Sequence, residues 1–415
     1  MKNNYFLFFL LLIIQNKCFS QAGTPDNRSI GILPGAERMS VYIPMLKGRT
    51  VAVFANQTSM VRNMHLVDAL IKEGIAVRKI FAPEHGFRGV GDAGEGLKNG
   101  IDSATGISVI SLYGSKLAPS ADDLKDVDIM IFDVQDVGVR FYTYISSLQK
   151  YMEAAMENHK PLLILDRPNP NGFYVDGPVL DIKFASFVGM QPVPAVYGMT
   201  IGEYAFMIAG EKWLSEKANE VYSYYQTAQN STDTPFHFLV IRCANYTHKD
   251  KYILPVNPSP NLQNMQSVYL YPSLCFFEGT AISLGRGTDK PFEQFGHPSF
   301  PKNLYSFIPQ SRPGAKNPPL LNQTCYGFDL TILNAEKEIN DHLQLKWLIK
   351  AYELFPDKAK FFLASNYFNK LAGTDMLMQQ IKDGKTENEI RKSWQPALNE
   401  FKRIRKKYLL YGDFE

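Results

Sequence analysis

Phe81-Ala-Pro-Glu84-His85-Gly86-Phe87-Arg88-Gly89 sets a carboxylic acid and an imidazole side by side, directly after an apolar run over residues 75–80. Those two groups at the mouth of a strand suit proton transfer, which makes Glu84 the leading catalytic candidate, with His85 beside it. Carboxylates also stand at other run ends: Asp133 and Asp136 in Asp133-Val-Gln-Asp136, and Asp166 in Asp166-Arg167-Pro168-Asn169. Oxygen ligands of that kind suit Mg²⁺, but no P-loop accompanies them and Asp136 is equally placed to cap the next helix. None of the seven histidines forms HxxxH or HxH, and no cysteine pair has CxxC spacing, so neither a metal centre nor a cofactor is expected. Gly89-Val-Gly91-Asp-Ala-Gly94 fits GxGxxG letter for letter. Leu97-Lys-Asn-Gly100 continues as loop, however, so no helix N-terminus would hold a pyrophosphate, and the segment is a candidate flap beside Glu84. Farther on, Arg286 lies between Gly285 and Gly287, which lets backbone approach closely and leaves a guanidinium accessible for bidentate carboxylate binding.

The elements that must position these groups alternate. Apolar runs at 50–55, 76–81, 108–113, 128–133 and 161–165 read as strands, separated by helical or turn patterns at 65–73, 120–125 and 142–158. Continuous apolar runs interleaved with helices imply an α/β fold with a mostly parallel sheet covered on both faces, because each crossover returns the chain to the same end. Asn56, Glu84, His85, Tyr113, Asp133, Asp136, Asp166, Arg167 and Asn169 all fall at or just after strand ends, where open α/β sheets bind ligands. One shared cleft is the expectation. Thr200 and Glu203 form a capping box that starts a helix. Another strand pattern spans 236–246, and Asn257-Pro-Ser-Pro-Asn261 is a loop held in one shape by its prolines. From Cys325 a strand at 326–333 precedes helices at 338–354, 371–381 and 387–407, which defines a smaller second α+β domain. The expected division is a leader over 1–20, an α/β domain over 21–205 and the smaller domain over 206–415.

Residues 1–20 carry one Lys near the front, an apolar run over 5–14 and Cys18-Phe19-Ser20 before Gln21, the layout of a cleaved secretory signal. The run is too short to span a bilayer, so the expected mature chain is periplasmic or secreted with no membrane span. Gln15-Asn16-Lys17 before Cys18 lacks the small apolar residues of a lipid-attachment signal. Length and a 45% hydrophobic composition describe an ordinary globular enzyme, not a disordered chain. A net charge of +3 over 415 residues, with no long Lys/Arg block, excludes nucleic acid as an expected partner. The leader removed, Cys243, Cys275 and Cys325 remain, an odd set that builds no disulfide framework.

An ordered series of motifs carries a resemblance. Pro83-Glu-His-Gly86, Ser111-Leu-Tyr-Gly114, Phe132-Asp-Val-Gln-Asp-Val-Gly138-Val-Arg-Phe-Tyr-Thr-Tyr144, Leu165-Asp-Arg-Pro-Asn-Pro-Asn-Gly172, Gly198-Met-Thr-Ile-Gly-Glu203, Pro258-Ser-Pro-Asn261, Glu278-Gly-Thr280, Gly285-Arg-Gly-Thr288 and Pro291-Phe-Glu293 together resemble the NamZ-type exo-β-N-acetylmuramidases, glycoside hydrolase family 171. The likeness runs over nearly the whole chain after the leader. It implies a Rossmann-like domain with a smaller C-terminal domain, a cleft between them, and release of terminal non-reducing β-linked N-acetylmuramic acid from peptidoglycan fragments in cell-wall recycling. The family's catalytic glutamate corresponds to Glu84. Peptidoglycan-derived disaccharides or muropeptides are then the expected partners.

Glycoside hydrolysis requires a proton for the leaving oxygen and usually a second carboxylate. Against that substrate Glu84 reads as the general acid, kept protonated by apolar neighbours such as Phe81 and Phe87. Candidates for the second carboxylate are Asp133, Asp136 and Asp166, with Glu278 outside that group, unless the sugar's own acetamido group serves as nucleophile. Muramic acid carries an anionic lactyl ether, for which Arg140, Arg167 and Arg286 are the natural receptors, while Arg88, Asn56, Asn169, Asn261, Tyr113 and Tyr142 supply further contacts. Two rivals from other classes remain. A metal-dependent phosphohydrolase would use Asp133, Asp136 and Asp166 and would stop in EDTA. A non-catalytic periplasmic muropeptide-binding protein would release its ligand unchanged.

Overall fold

A computed structural model describes residues 31–84, 86–88, 99–228 and 238–415. The expected leader, His85 and the 89–94 flap lie outside those residues. The predicted apolar runs pair into one sheet, to whose edge a strand at Gly100–Ile101, expected as loop, is added: β1 (Thr50–Ala55), β2 (Ala76–Ala82), the short β3 (Gly100–Ile101), β4 (Ser108–Ser111), β5 (Ile129–Asp133), β6 (Leu162–Leu165) and β7 (Phe238–Ile241) lie in the order β7-β6-β5-β1-β2-β4-β3. All neighbours are parallel except the edge strand β3, which runs antiparallel to β4. Chain order proceeds outward from β1 to β2 and β4, then returns past β1 to β5, so a topological switch falls between β1 and β5 at their carboxyl ends.

Side-chain alternation divides β1 between two cores. Ala52 and Phe54 join the larger one, where Phe54 stacks on Phe132 at a centroid distance of 4.7 Å, while Val51, Val53 and Ala55 face a smaller one with Tyr42, Leu46, Val67 and Leu70. Continuous apolar strands are therefore what both faces require. Helix Tyr144–Glu157 packs its buried face on the larger core, which continues through helix Met265–Leu274 into the C-terminal region. That region holds an antiparallel sheet of β8 (Gln294–His297), β9 (Tyr305–Phe307) and β10 (Cys325–Asp329), ordered β8-β10-β9.

Several boundaries differ from the sequence reading. β7 joins the large sheet from beyond residue 206, the expected 205/206 division lies inside helix Ile201–Gly210, and residues 32–415 form one compact unit. The expected 338–354 helix is two, Ala335–Ile339 and Lys346–Leu354, separated by Asn340 and Asp341 at positive φ. The 371–381 helix is likewise two, because Gly373 at φ +73° terminates Tyr367–Ala372 before Met376–Lys382 begins. Strands β8 and β9 were not predicted: Gln-Phe-Gly-His and Tyr-Ser-Phe are too short to carry a period. The capping box at Thr200 and Glu203 is present with both reciprocal bonds. Among the described residues no helix is long and apolar enough to cross a membrane.

Candidate active site

Beyond β2 the chain turns at Pro83, closed by the Gly86 N–H donating to the Pro83 carbonyl at 3.0 Å, with Gly86 at φ +77°. This turn presents Glu84 at the wall of a cavity of about 360 Å³, a volume suited to a single sugar ring and its substituents. Tyr113, following β4, donates from Oη to Glu84 Oε1 at 3.0 Å. Burial, and then the neighbouring Glu84, push the Tyr113 phenol well above its ordinary value.

A second wall is aromatic and comes from the Phe132–Tyr144 motif. Phe141, Tyr142, Thr143 and Tyr144 all line the cavity, and Tyr142 packs edge-on against Tyr144 and Tyr271 at 4.9 and 5.9 Å. The Tyr142 hydroxyl donates to the Pro258 carbonyl at 2.7 Å, which ties this wall to the rigid Pro258-Ser-Pro loop whose Ser259 also reaches the cavity. Asn56 acts one step behind: its Oδ1 accepts from the Thr58 backbone and hydroxyl, and its Nδ2 donates to Tyr144 Oη at 2.7 Å. With that oxygen accepting, the Tyr144 proton is oriented elsewhere.

The third wall comes from the C-terminal region. Glu278 lies on a single turn, Cys275–Gly279, and Arg286 lies between Gly285 (φ +73°) and Gly287 (φ +80°). A Cβ on Gly287 would stand 2.3 Å from the Gln310 carbonyl oxygen, so the close approach expected of these glycines is real. Arg286 donates from Nε and Nη2 to one oxygen, Glu278 Oε1, at 3.1 and 2.5 Å, and its guanidinium lies 4.9 Å above the Phe292 ring. Phe292 itself sits at φ +59°, a conformation a bulky residue keeps only where its surroundings impose it. Tyr367, Phe187, Val188 and Leu262 complete the lining.

Of the predicted site residues, the cavity thus gathers Glu84, Tyr113, Tyr142, Glu278 and Arg286. The single shared cleft must be corrected for the others, which do not line it. Asp133 is fully buried in a two-pronged ion pair with Arg167 (Nε–Oδ1 2.5 Å, Nη2–Oδ2 2.8 Å). Asp136 accepts from the Tyr197 hydroxyl and from the Gly138 N–H, and burial pushes its carboxyl up to about 7. Asp166 accepts from Thr200 Oγ1, Gly202 N–H and the Tyr411 hydroxyl at 2.8, 2.8 and 2.6 Å, so it anchors the start of helix Ile201–Gly210 and the C-terminal segment. Arg140 is buried, donating to the carbonyls of Pro178, Val193 and Leu371. Asn169 bridges Met199 and Asn171, Asn261 donates to the Gly314 carbonyl, and Arg88 pairs with Asp102. His85 is outside the described residues. Phe81 and Phe87, expected to surround Glu84, are engaged with Tyr151 and His65.

Sequence reasoning missed Phe141, Tyr144, Ser259, Phe292 and Tyr367. The first four lie within quoted motifs, so their signal was available; Tyr367, in a short helix with no motif around it, gave none. Among the described residues no group of three or more His, Cys, Asp or Glu side chains is arranged to hold a metal ion, and Cys243, Cys275 and Cys325 are free and buried.

A fold that brings one glutamate from the end of a parallel sheet and another from the C-terminal region into one aromatic-walled, sugar-sized cavity has the constellation of a glycosidase. The comparisons are consistent with that class. A family profile described as exo-β-N-acetylmuramidase NamZ, N-terminal, matches residues 51–266, and its C-terminal counterpart matches 269–411. The peptidoglycan β-N-acetylmuramidase NamZ of Bacillus subtilis (strain 168) is 32% identical over 99% of this chain and 100% of its own length. Two crystal structures of DUF1343 family proteins from Bacteroides fragilis NCTC 9343 superpose with TM-scores of 0.82 and 0.75 at 45% and 26% identity, each over 92% of this chain and 99% of the other. The chain belongs to the NamZ exo-β-N-acetylmuramidase family.

Proposed function

We propose that this chain hydrolyses terminal non-reducing β-linked N-acetylmuramic acid from peptidoglycan fragments, with Glu84 as the group that protonates the leaving sugar oxygen. The observation that carries this reading is the pair Glu84 and Glu278 in one cavity, each held by a specific partner, Tyr113 and Arg286. Glycosidic cleavage needs such a pair, one to deliver a proton and one to act at the anomeric carbon or to orient what does. Glu278 takes the place that the three buried aspartates were expected to hold, since each of them is buried and already accepts protein donors away from the cavity. The edge-packed aromatic wall of Tyr142, Tyr144 and Tyr271 offers apolar surface to a sugar ring. Arg286 commits two of its nitrogens to Glu278, leaving Nη1 as the guanidinium donor for the anionic lactyl group. We further propose that the chain acts outside the cytoplasmic membrane, on the strength of the leader pattern in residues 1–20 and of where peptidoglycan lies; a chain recovered in the cytoplasmic fraction with its N-terminus still at Met1 would contradict it.

Glu84→Gln preserves an acceptor for Tyr113 and removes the proton. It is expected to melt like the wild type and to lose about 10²- to 10⁴-fold in turnover of a muramyl-glucosamine disaccharide. Near-normal turnover would remove Glu84 from this role.

A further inference from the structure

Two groups in the cavity wall keep a polar atom that no described N–H or O–H group uses. Arg286 directs both of its donors to Glu278 Oε1, and the carboxylate is otherwise met by the Cys275 thiol, a weak donor, so among the described residues Glu278 Oε2 receives no N–H or O–H donor. Tyr367 Oη likewise has no hydrogen-bond partner among them. The two residues are neighbours because the backbones beside them touch: a Cβ on Gly279 would stand 2.4 Å from Phe368 Cα. Leu363 N–H donates to the Gly279 carbonyl at 3.0 Å and Ala281 N–H to the Phe361 carbonyl at 2.8 Å, which locks the two segments together. Asn366, which precedes Tyr367, is held at φ +59°, its Oδ1 accepting from Asn369 Nδ2 at 2.7 Å. A side chain placed by a strained residue and left without a protein partner is a candidate for contact with a ligand. Burial first, then Glu278, with Glu84 a smaller contributor, raises the Tyr367 phenol, so it is a proton donor at any ordinary pH.

Behind this pair lies a second cavity of about 440 Å³, which shares Glu278, Arg286 and Tyr367 with the first and is otherwise walled mainly by apolar groups such as Phe277, Ile282, Leu284 and Leu363. The chemistry that fits is a secondary amide bearing a small apolar tail. An amide needs one acceptor for its N–H and one donor for its carbonyl. A ring hydroxyl could satisfy both atoms but would bring nothing to the apolar cavity, and a lactyl carboxylate, which can only accept, has no donor for Glu278 Oε2.

We propose that Glu278 and Tyr367 form the receptor for the 2-acetamido group of the muramic ring, with Tyr367 Oη donating to its carbonyl, Glu278 Oε2 accepting its N–H, and the acetyl methyl entering the apolar cavity. This rests on the function proposed above and adds to it the residues that select an N-acetylated sugar. The test is binding, measured on the full chain with N-acetylmuramic acid and with muramic acid, which lacks the acetyl group. Tyr367→Phe is expected to weaken N-acetylmuramic acid about tenfold, the worth of one well-placed hydrogen bond in a partly desolvated site. It should change muramic acid binding less than twofold and leave the melting temperature where it was. Equal weakening of both sugars, no weakening of either, or a lowered melting temperature would overturn the assignment. Wild-type protein that binds neither sugar would instead overturn the function on which it rests.

Discussion

Acidic residues at the carboxyl end of the sheet and acidic residues in the cavity wall differ less in type than in what already surrounds them. Asp133 has no exposed side-chain surface and both of its oxygens are taken by Arg167, whereas the Glu278 side chain is 23% exposed and offers one oxygen to the cavity. Asp166 accepts from three groups on two separate elements, and in doing so fastens the helix that follows Thr200 and the C-terminal Tyr411 to the end of β6. Strand ends in a parallel sheet are where chain segments converge, so a carboxylate there can serve either as a ligand for substrate or as a junction for backbone and cations. Here the junction reading prevails at Asp133, Asp136 and Asp166. Chemistry is left to the glutamates that line the cavity, Glu84 and Glu278.

The sharpest way to break that comparison is at Asp133. Asp133→Ala leaves the Arg167 guanidinium buried and unpaired and is expected to cost about 3–5 kcal/mol, enough to lower the melting temperature by many degrees. Asp133→Leu with Arg167→Met removes both charges together and should recover most of that loss, because replacing a whole buried pair with apolar side chains is often neutral. The double variant is further expected to keep its turnover of a muramyl disaccharide. A double variant that is stable and inactive would return Asp133 to the catalytic machinery.

How much of this was legible beforehand follows the same line. Strand positions came through because continuous apolar runs have one good solution, a sheet covered on both faces, and Thr200 with Glu203 announced its helix by local chemistry alone. Glu84, Tyr113 and Tyr142 could be singled out because each follows a strand or sits in a dense motif. Arg167 could not be told from a substrate receptor, since its partnership with Asp133 crosses from β5 to β6 and depends on strand order. Glu278 was underrated for a related reason: its cavity-facing role arises from Gly279 packing on Phe368, a contact between segments almost 90 residues apart. Tyr367 depends on that same contact and on nothing local.

Asp136 allows a gentler separation of the two groups, through pH. Its carboxyl is raised from 3.8 to about 7 by burial, and its Oδ1 has no hydrogen-bond partner. A carboxyl whose folded value exceeds its unfolded value binds more protons when folded, so its contribution to stability is complete below about 4, declines as pH rises towards 7, and is lost above that. Asp166, raised to about 6, acts with the same sign over a narrower window. Asp136→Asn resembles the protonated acid at every pH, with its carbonyl free to accept from Tyr197 and Gly138. The variant is therefore expected to lose less stability between pH 5 and pH 8 than the wild type, by on the order of 2 kcal/mol in denaturant titrations. An unchanged slope would mean that Asp136 is ionised in the fold throughout.

Arg286 is where the two groups come closest, because it is at once a structural partner and a ligand candidate. Arg286→Ala removes the clamp on Glu278 and the donor proposed for the lactyl carboxylate in one step, so a fall in kcat alone would not separate the roles. The discriminating quantity is KM, compared between a β-muramide and the glucosaminide that lacks only the lactyl ether. Loss of one charge-assisted contact is expected to raise KM for the muramide about tenfold while the glucosaminide changes less than threefold. Arg286→Lys should fall between, since an ammonium restores the charge but cannot hold Glu278 with two nitrogens and reach the substrate with a third. Equal changes on both substrates would mean that Arg286 works only by fixing Glu278, and that the lactyl group is received by a different side chain of the cavity.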